Sequence, residues 1–446
     1  MTVLDMNACA RALGQADLEP GGRLTHVAGS TLEAVLPRAQ TGAIYRVVSR
    51  SREEDLLAEV VGFKEQETIL APFGEPRGVG PGDPVIPEGR TDHQEIGEGF
   101  LGRIIDALGR PIDDGPPIPT RHRVPLYRTP PNPLERRLIE EPLLTGVSVL
   151  DAMTTMGRGQ RVGIFAGAGV GKSTLMGMLA RFCASDVNVI ALVGERGREV
   201  RSFIENELGP EGLERSVLVV ATGDAAPILR VRAAFLATTI AEWFRDRGKN
   251  TLLVMDSLTR LAHAIREIGL AAGEPPTTRG YPPSVFSSMP RLLERAGNSS
   301  SAGSLTAFYT VLVDGDDMTE PVADAARSIL DGHIVLSRRI AEAGRYPAVD
   351  ISASLSRLAS EIVDERHARL AVRVREIFAG YEEIRDLIQV GAYRPGSDPS
   401  VDRLVQLFPR VADLFKQPRT ERRSLQSTLG GLEALLGPEN HAKHRI

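Results

Sequence analysis

Hydrophobic and polar positions divide this 446-residue chain into three stretches with different periods. Up to about Glu88, short apolar runs such as AIYRVVS and LLAEVVGFK alternate with Gly and Pro, as in FGEPRGVGPG from Phe73 to Gly82. Short strands at this spacing predict a small β-barrel or sandwich. A Pro-rich connector, with DDGPPIPT and YRTPPNPLERR, fills Asp113 to Arg137. From about Arg161 strand and helix alternate. RVGIF predicts a buried strand, and STLMGMLARFCA a helix after a Gly-rich loop. VNVIALVG predicts the next strand. REVRSFIENELG predicts the next helix, with Val200, Phe203, Ile204 and Leu208 on one face. SVLVVA, a helix from Pro227 to Arg247, TLLVMD, SLTAFYTVLV and HIVLS continue the series. Such alternation predicts an α/β fold, a parallel sheet with helices on both faces. Beyond about Leu358 only helical periodicity remains. The predicted domains are therefore 1–90, 91–358 and 359–446. REIGLAAGEPPTTRGYPPS and AGNSSSAGS read as mobile loops.

Composition narrows the function classes. Lys and Arg total 53 against 58 Asp and Glu, a net charge of −5, which excludes a histone-like nucleic-acid binder. Two cysteines, Cys9 and Cys183, exclude a disulfide framework and a Cys-rich zinc site and fit a reducing compartment. Cys183 reads as a small core residue. MTVLDMNACARALGQ has no apolar core of a signal peptide, and no run approaches the ~18 apolar residues of a membrane span. The expectation is a cytoplasmic protein, at most peripheral to a membrane. Only five lysines stand among 48 arginines, so a lysine at a chemically demanding position is informative.

One such lysine sits in AGAGVGKST, Ala166 to Thr174, which fits G-x-x-x-x-G-K-[ST] with Ala at the first position. Gly167, Gly169 and Gly171 let successive backbone N–H groups wrap phosphate oxygens. Ala168 and Val170 complete the loop. Lys172 supplies a point charge to the β- and γ-phosphates, and the Ser173 hydroxyl, followed by Thr174, suits Mg²⁺. The glycine spacing lacks G-x-G-x-x-G, which disfavours a dinucleotide fold. TLLVMD ends in Asp256, a carboxylate at a buried strand's tip that would hold the Mg²⁺ shell. Glu195, in GERGREV after VNVIALV, stands where ligands of open α/β sheets bind. There it orients or deprotonates the attacking water, or merely opens a charged helix turn; spacing alone supports both.

GIFAGAGVGKST, IALVGERGREVRSFIENELG, DSLTRLAHAIREIGLAAGEPPTTRGYPPSVFSSMPRLLERAG and DGDDMTEPVADAARSILDGHIVLSR together resemble the type III protein-export ATPases of injectisomes and flagella, relatives of the F/V-type rotary ATPase catalytic subunits. The resemblance runs from roughly Ile96 to Gln417, with a weaker match in the barrel. It implies a RecA-like P-loop ATPase core between a small N-terminal β-barrel and a C-terminal helical domain. It also implies a homohexamer peripheral to the cytoplasmic face of the inner membrane. Such a ring hydrolyses ATP and releases and unfolds export substrates from their chaperones, with central stalk and stator proteins as partners. Carried over residue by residue, Glu195 resembles the catalytic carboxylate and Arg196 a phosphate-sensing arginine. Arg357, in SASLSR, resembles an arginine finger given to the neighbouring subunit. Tyr346, in RYPAVD, sits where the family stacks an aromatic on adenine, or caps the core; Tyr393 is a second candidate for the base.

Two stretches depart from the family pattern, GDAAP at Gly223 to Pro227 and Val313 to Asp317, and neither is expected to touch the phosphate machinery. Asp314, Asp316 and Asp317 lack EF-hand spacing and read as a polar loop. Asn298-Ser299-Ser300 matches a glycosylation acceptor without a secretion signal to give it meaning. Three alternatives compete. A rotary ATPase catalytic subunit would carry a strongly acidic helix–loop lever, where YEEIRDLIQVGAYRPGSDPSVDRL has a Gly/Pro loop. An RNA-translocating hexameric helicase would need a basic, aromatic-rich N-terminal barrel, yet Met1 to Arg90 holds only Tyr45, Phe63 and Phe73. Sequence-specific nucleic-acid binding is not expected. A non-catalytic ring member would not need Lys172, Glu195 and Arg357 together. Injectisome is favoured over flagellum, although the motifs do not separate them.

Overall fold

The computed structural model describes residues 21–49, 51, 54–88, 93–313 and 317–437. Six strands come first: β1 (Gly22–Ala28), β2 (Thr31–Val35), β3 (Ile44–Val47), β4 (Leu56–Lys64), β5 (Glu67–Pro72) and β6 (Pro84–Pro87). They close in the order β1-β2-β5-β4-β3-β6. Of the two architectures open from sequence, this is the barrel, which leaves no free sheet edge. Leu32, Tyr45, Val47, Val60, Leu70 and Val85 fill it, all fully buried. Tyr45 is thus core, and the Arg232 guanidinium lies over the Phe73 ring, 5.9 Å from its centroid. Of the three barrel aromatics only Phe63 is an exposed ring. A single ring offers no stacking row for a nucleic-acid strand.

The central sheet has eight strands: β7 (Ile104–Ile105), β8 (Arg161–Ala166), β9 (Val187–Val193), β10 (Ser216–Ala221), β11 (Asn250–Asp256), β12 (Ser304–Leu312), β13 (Gly332–Leu336) and β14 (Leu355–Ser356). Their order is β14-β13-β8-β12-β11-β9-β10-β7, parallel except for β14. Every residue of β9 and β10 is buried. Layers cover both faces, so these strands read as continuous apolar runs and not as alternating ones. Val187, Val189, Ala191 and Val193 of β9 pack against α2 (Pro227–Arg245), α3 (Leu258–Ala271) and α4 (Pro283–Leu293). Ile190 and Leu192 face the other side, where α1 (Lys172–Phe182) and the C-terminal helices α5 (Glu365–Gln389), α6 (Pro399–Leu414) and α7 (Leu425–Leu436) form a second core.

Several expectations change. In the segment expected as one long loop, α3 runs to Ala271 and α4 starts at Pro283. The remainder is anchored by Tyr281, 3% exposed, whose hydroxyl lies 3.1 Å from both His263 Nε2 and Glu320 Oε1. AGNSSSAGS is irregular but held. Asn298 is buried, and its Nδ2 donates to the carbonyls of Arg137, Leu138 and Arg158 at 3.3–3.4 Å. Neither therefore fits the reading as a free loop. The helix expected over REVRSFIENELG widens into a π turn at Phe203–Leu208, yet Val200, Phe203 and Leu208 are buried as the period required. Cys183 is 2% exposed, and burial pushes its thiol up to about 12. Cys9, Asp314 and Asp316 lie outside the described residues, while Asp317 accepts from the Thr319 amide and hydroxyl. Among the described residues, no helix is long and apolar enough to cross a membrane.

Candidate active site

Strand β8 ends at Ala166 and α1 begins at Lys172, so the five residues between them turn the chain at the sheet's carboxyl edge. Gly169 and Gly171 take φ of +77° and +93°, a region that side-chain-bearing residues rarely adopt. At Gly171 a Cβ would also stand 3.4 Å from the Tyr346 ring. The loop borders a cleft of about 470 Å³ lined by Gly167, Ala168, Gly169, Gly171, Lys172, Ser173 and Thr174. Val170 turns inward instead and is 1% exposed.

The sheet order places β8, β12, β11 and β9 side by side, so their carboxyl ends converge on the cleft. Asp256 is the last residue of β11, and Glu195 follows β9 across Gly194. Gly194, at φ +74°, leaves no room for a Cβ, which would meet Arg260 Cδ at 2.7 Å. Lys172 Nζ lies 2.5 Å from Asp256 Oδ1 and 3.6 Å from Glu195 Oε1. Arg260 Nε stands 3.7 Å from that same Glu195 oxygen. The Thr310 hydroxyl donates to Asp256 Oδ1 at 2.6 Å.

Glu195 is 7% exposed, and its Oε1 is a buried oxygen with no hydrogen-bond partner. Burial, then the charge of Asp256, raises its pKa above the usual glutamate range against the pull of Lys172. A desolvated carboxylate with a free lone pair, facing a cleft, is arranged to accept a proton or a water hydrogen. The donor set also suits Mg²⁺. The Ser173 hydroxyl and the Asp256 carboxylate are hard oxygen ligands bordering one cleft, and Mg²⁺ is commonly held by one or two such groups plus substrate phosphates.

The remaining predicted residues divide. Arg196 lies on the cleft's rim, its side chain 75% exposed and 3.5 Å from Glu199. Tyr346 is 44% exposed, with its ring edge beside Gly171 of the phosphate loop and outside the cleft lining. It borders a second, smaller recess with Phe415 and Lys416. Tyr393, in the α5–α6 turn, borders neither; its hydroxyl donates to Asp402 in the first turn of α6. Arg357 is also away from its own cleft. It follows β14, where Ser356 pairs with Gly332 and Gly332 pairs with Val162, near the start of β8. The phosphate loop leaves the other end of β8. Five residues at ~3.3 Å each separate the two ends, roughly 16 Å, beyond an arginine's reach.

Three neighbours were not legible. Arg260 and Thr310 come from α3 and β12, 65 and 115 positions after Glu195, and nothing in their local pattern separates them from a helix surface or a buried strand. Gln417 is 4% exposed; its backbone N–H donates to the Tyr346 carbonyl at 2.9 Å and its side chain bridges Ser148 N and Gly146 O. One expectation is corrected. GDAAP does meet the site, because the Gly223 N–H donates to the Glu195 carbonyl at 3.0 Å, where the loops after β9 and β10 run together.

Residues 146–356 match the ATP synthase alpha/beta family nucleotide-binding domain, 24–89 that family's beta-barrel domain, and 363–434 the T3SS EscN ATPase C-terminal domain. The flagellum-specific ATP synthase of Bacillus subtilis is 48% identical over 94% of this chain and 95% of its own length. The type 3 secretion system ATPase of Xanthomonas euvesicatoria is 51% identical over 92% of both. The structure of assembled EscN from the enteropathogenic E. coli type III secretion system superposes with a TM-score of 0.88 at 43% identity, over 93% of this chain and 100% of that one. The same ATPase has been solved in complex with its central stalk EscO, with a TM-score of 0.85 at 42% identity, over 93% of this chain and 100% of that one.

Proposed function

Since the chain belongs to the type III secretion and flagellar export ATPases, and is thus an ATP-hydrolysing enzyme, we propose that it works as a homohexameric motor of a type III export apparatus, with the catalytic centre at the Lys172–Glu195–Asp256 cleft. The observation that carries this assignment is the buried Glu195 Oε1, which has no hydrogen-bond partner although it lies within 4 Å of both Lys172 and Arg260. In the reaction a water oxygen bonds to the γ-phosphorus as the bond to the β–γ bridging oxygen breaks, and the electron pair leaves on ADP. Glu195 orients that water and takes its proton. Lys172 moves its charge from Asp256 to the β- and γ-phosphates, and the backbone N–H groups of Gly167 to Thr174 cradle them. Ser173 and Asp256 would hold Mg²⁺, which neutralises charge developing on the phosphate oxygens. Arg196 reaches the γ-phosphate from the rim. Tyr346 stacks on adenine beside the recess that Phe415 borders.

Arg357 sits too far from its own phosphate loop to serve it and is exposed at the opposite end of the sheet. It serves the next subunit's nucleotide, so the ring is the active unit. A role in type III secretion and a central stalk partner are supported by the names of the relatives; release and unfolding of chaperone-bound substrates at the cytoplasmic face of the inner membrane, with a stator as a further partner, is the role we propose within it. Relatives named for flagella and for type III secretion stand at 48% and 51% identity, so the reading covers both apparatuses. Phosphate release by the purified full-length chain with ATP and Mg²⁺ tests the assignment. Turnover should vanish with EDTA and with Lys172→Ala, the latter with weakened nucleotide binding. Full turnover by Lys172→Ala would refute it.

A further inference from the structure

Arg357 is an exposed side chain, yet the backbone that carries it is pinned to the start of the phosphate-loop strand. Gln160, fully buried and immediately before β8, makes the connection. Its Nε2 donates to the Asp331 carbonyl and lies 3.0 Å from both that oxygen and the Ser356 hydroxyl. Its Oε1 accepts from Gly157 N at 2.8 Å, which fixes the amide's orientation. The Asp331 carbonyl also accepts from Arg357 N at 3.0 Å. The Asp331 carboxylate in turn receives Arg161 Nε and Nη2, each at 3.0 Å, and Arg161 N at 3.1 Å. Gly332 makes this approach possible, because a Cβ there would meet Leu355 O at 2.7 Å and Gln160 Nε2 at 3.3 Å. Residues 331, 356 and 357 therefore ride on residues 160 and 161.

We propose that Gln160, with Ser356 and Asp331, is a positioning residue for Arg357, fixing the finger offered to the neighbouring subunit to the strand that ends in the chain's own phosphate loop. This rests on the reading of Arg357 as a finger acting in trans. A planar guanidinium stabilises a transition state only within narrow tolerances, and misplacement by about 1 Å costs on the order of 10²-fold. Gln160 touches no part of its own cleft, so its loss should impair the site next door and spare the site in its own chain.

Mixed rings separate the two. Lys172→Ala subunits offer a finger without a phosphate loop, and Arg357→Ala subunits offer the reverse. Gln160→Leu is first placed on the Lys172→Ala chain and then on the Arg357→Ala chain, with assembly of each mixture measured by light scattering. The recovered kcat should fall at least tenfold in the first mixture, stay near the reference in the second, and leave the KM for ATP unchanged in both. Ser356→Ala, which removes one hydrogen bond and keeps the core filled, should show the same asymmetry more weakly if Gln160→Leu assembles poorly. Equal losses in both mixtures, or none in either, with either variant would overturn the positioning role while leaving the finger intact. Failure of the reference mixture itself, with assembly proven, would overturn the finger and this inference with it.

Discussion

Replacing Glu195 by Gln removes a charge and keeps a shape, which makes it the sharpest probe of the chemistry. The residue is 7% exposed, and its Oε1 has no hydrogen-bond partner despite Lys172 at 3.6 Å and Arg260 at 3.7 Å. General-base and water-orienting groups of this kind contribute about 10²–10⁴ in rate, or roughly 3–5 kcal/mol of barrier. The variant should lose that much kcat while still binding ATP, since Lys172 and the phosphate loop are untouched. The fold should not weaken, because burial and the Asp256 charge already disfavour the carboxylate. Thermal melting should therefore give an unchanged or higher Tm. The pH profile carries the sign. A raised pKa means the carboxylate takes up its proton, and activity is lost, at a higher pH than an ordinary glutamate would allow. That acid limb should be missing from the residual activity of the variant. Single-turnover assays with bound ATP measure the step directly, and near-normal kcat in Glu195→Gln would refute the role.

Tyr346→Ala should raise the KM for ATP severalfold, from about 1 kcal/mol of stacking, while Tyr346→Phe stays near wild type; equal behaviour of the two would make the tyrosine structural. Asp113, 19% exposed, holds Arg103 through two hydrogen bonds and accepts from Ile104 N, which lowers its pKa to about 2. Its contribution, about 1–2 kcal/mol, is present above the usual aspartate range and is lost as pH falls toward 2, so Asp113→Asn should lower denaturant stability at pH 7 and less at pH 3. Gly171→Ala should cut ATP affinity, because φ +93° strains any residue that carries a Cβ and would distort the phosphate loop; isothermal titration reads the change.

Sequence alone exposed the parts of this site that are local in the chain. Lys172 and Ser173 announce themselves through the glycines before them, and Asp256 through the apolar strand it ends. The helices and strands of the central sheet follow from their periods, since burial on two faces leaves continuous apolar runs. What depends on tertiary approach was hidden. Arg260 meets Glu195 only because Gly194 lets α3 come close, and Gln417 reaches Tyr346 from the connection between α6 and α7. The Gly223 contact arises because neighbouring parallel strands end together, a register that no local pattern encodes. The long loop was misjudged for a related reason. Its Gly and Pro residues signal irregular backbone, whereas Tyr281 anchors it, and Asn298 anchors the separate AGNSSSAGS segment, through partners elsewhere in the chain.

In the proposed ring each active site is built from two chains. Mixing Arg357→Ala with Lys172→Ala subunits tests it, because each should be inactive alone and only their shared interface would unite an intact phosphate loop with an intact finger. Arginine fingers contribute about 10³–10⁵ in rate, so recovery should stand far above either background and should decline on dilution as rings dissociate. Partial recovery of ATP turnover in proven mixed rings is the predicted result; turnover no higher than that of the separate variants would contradict the claim.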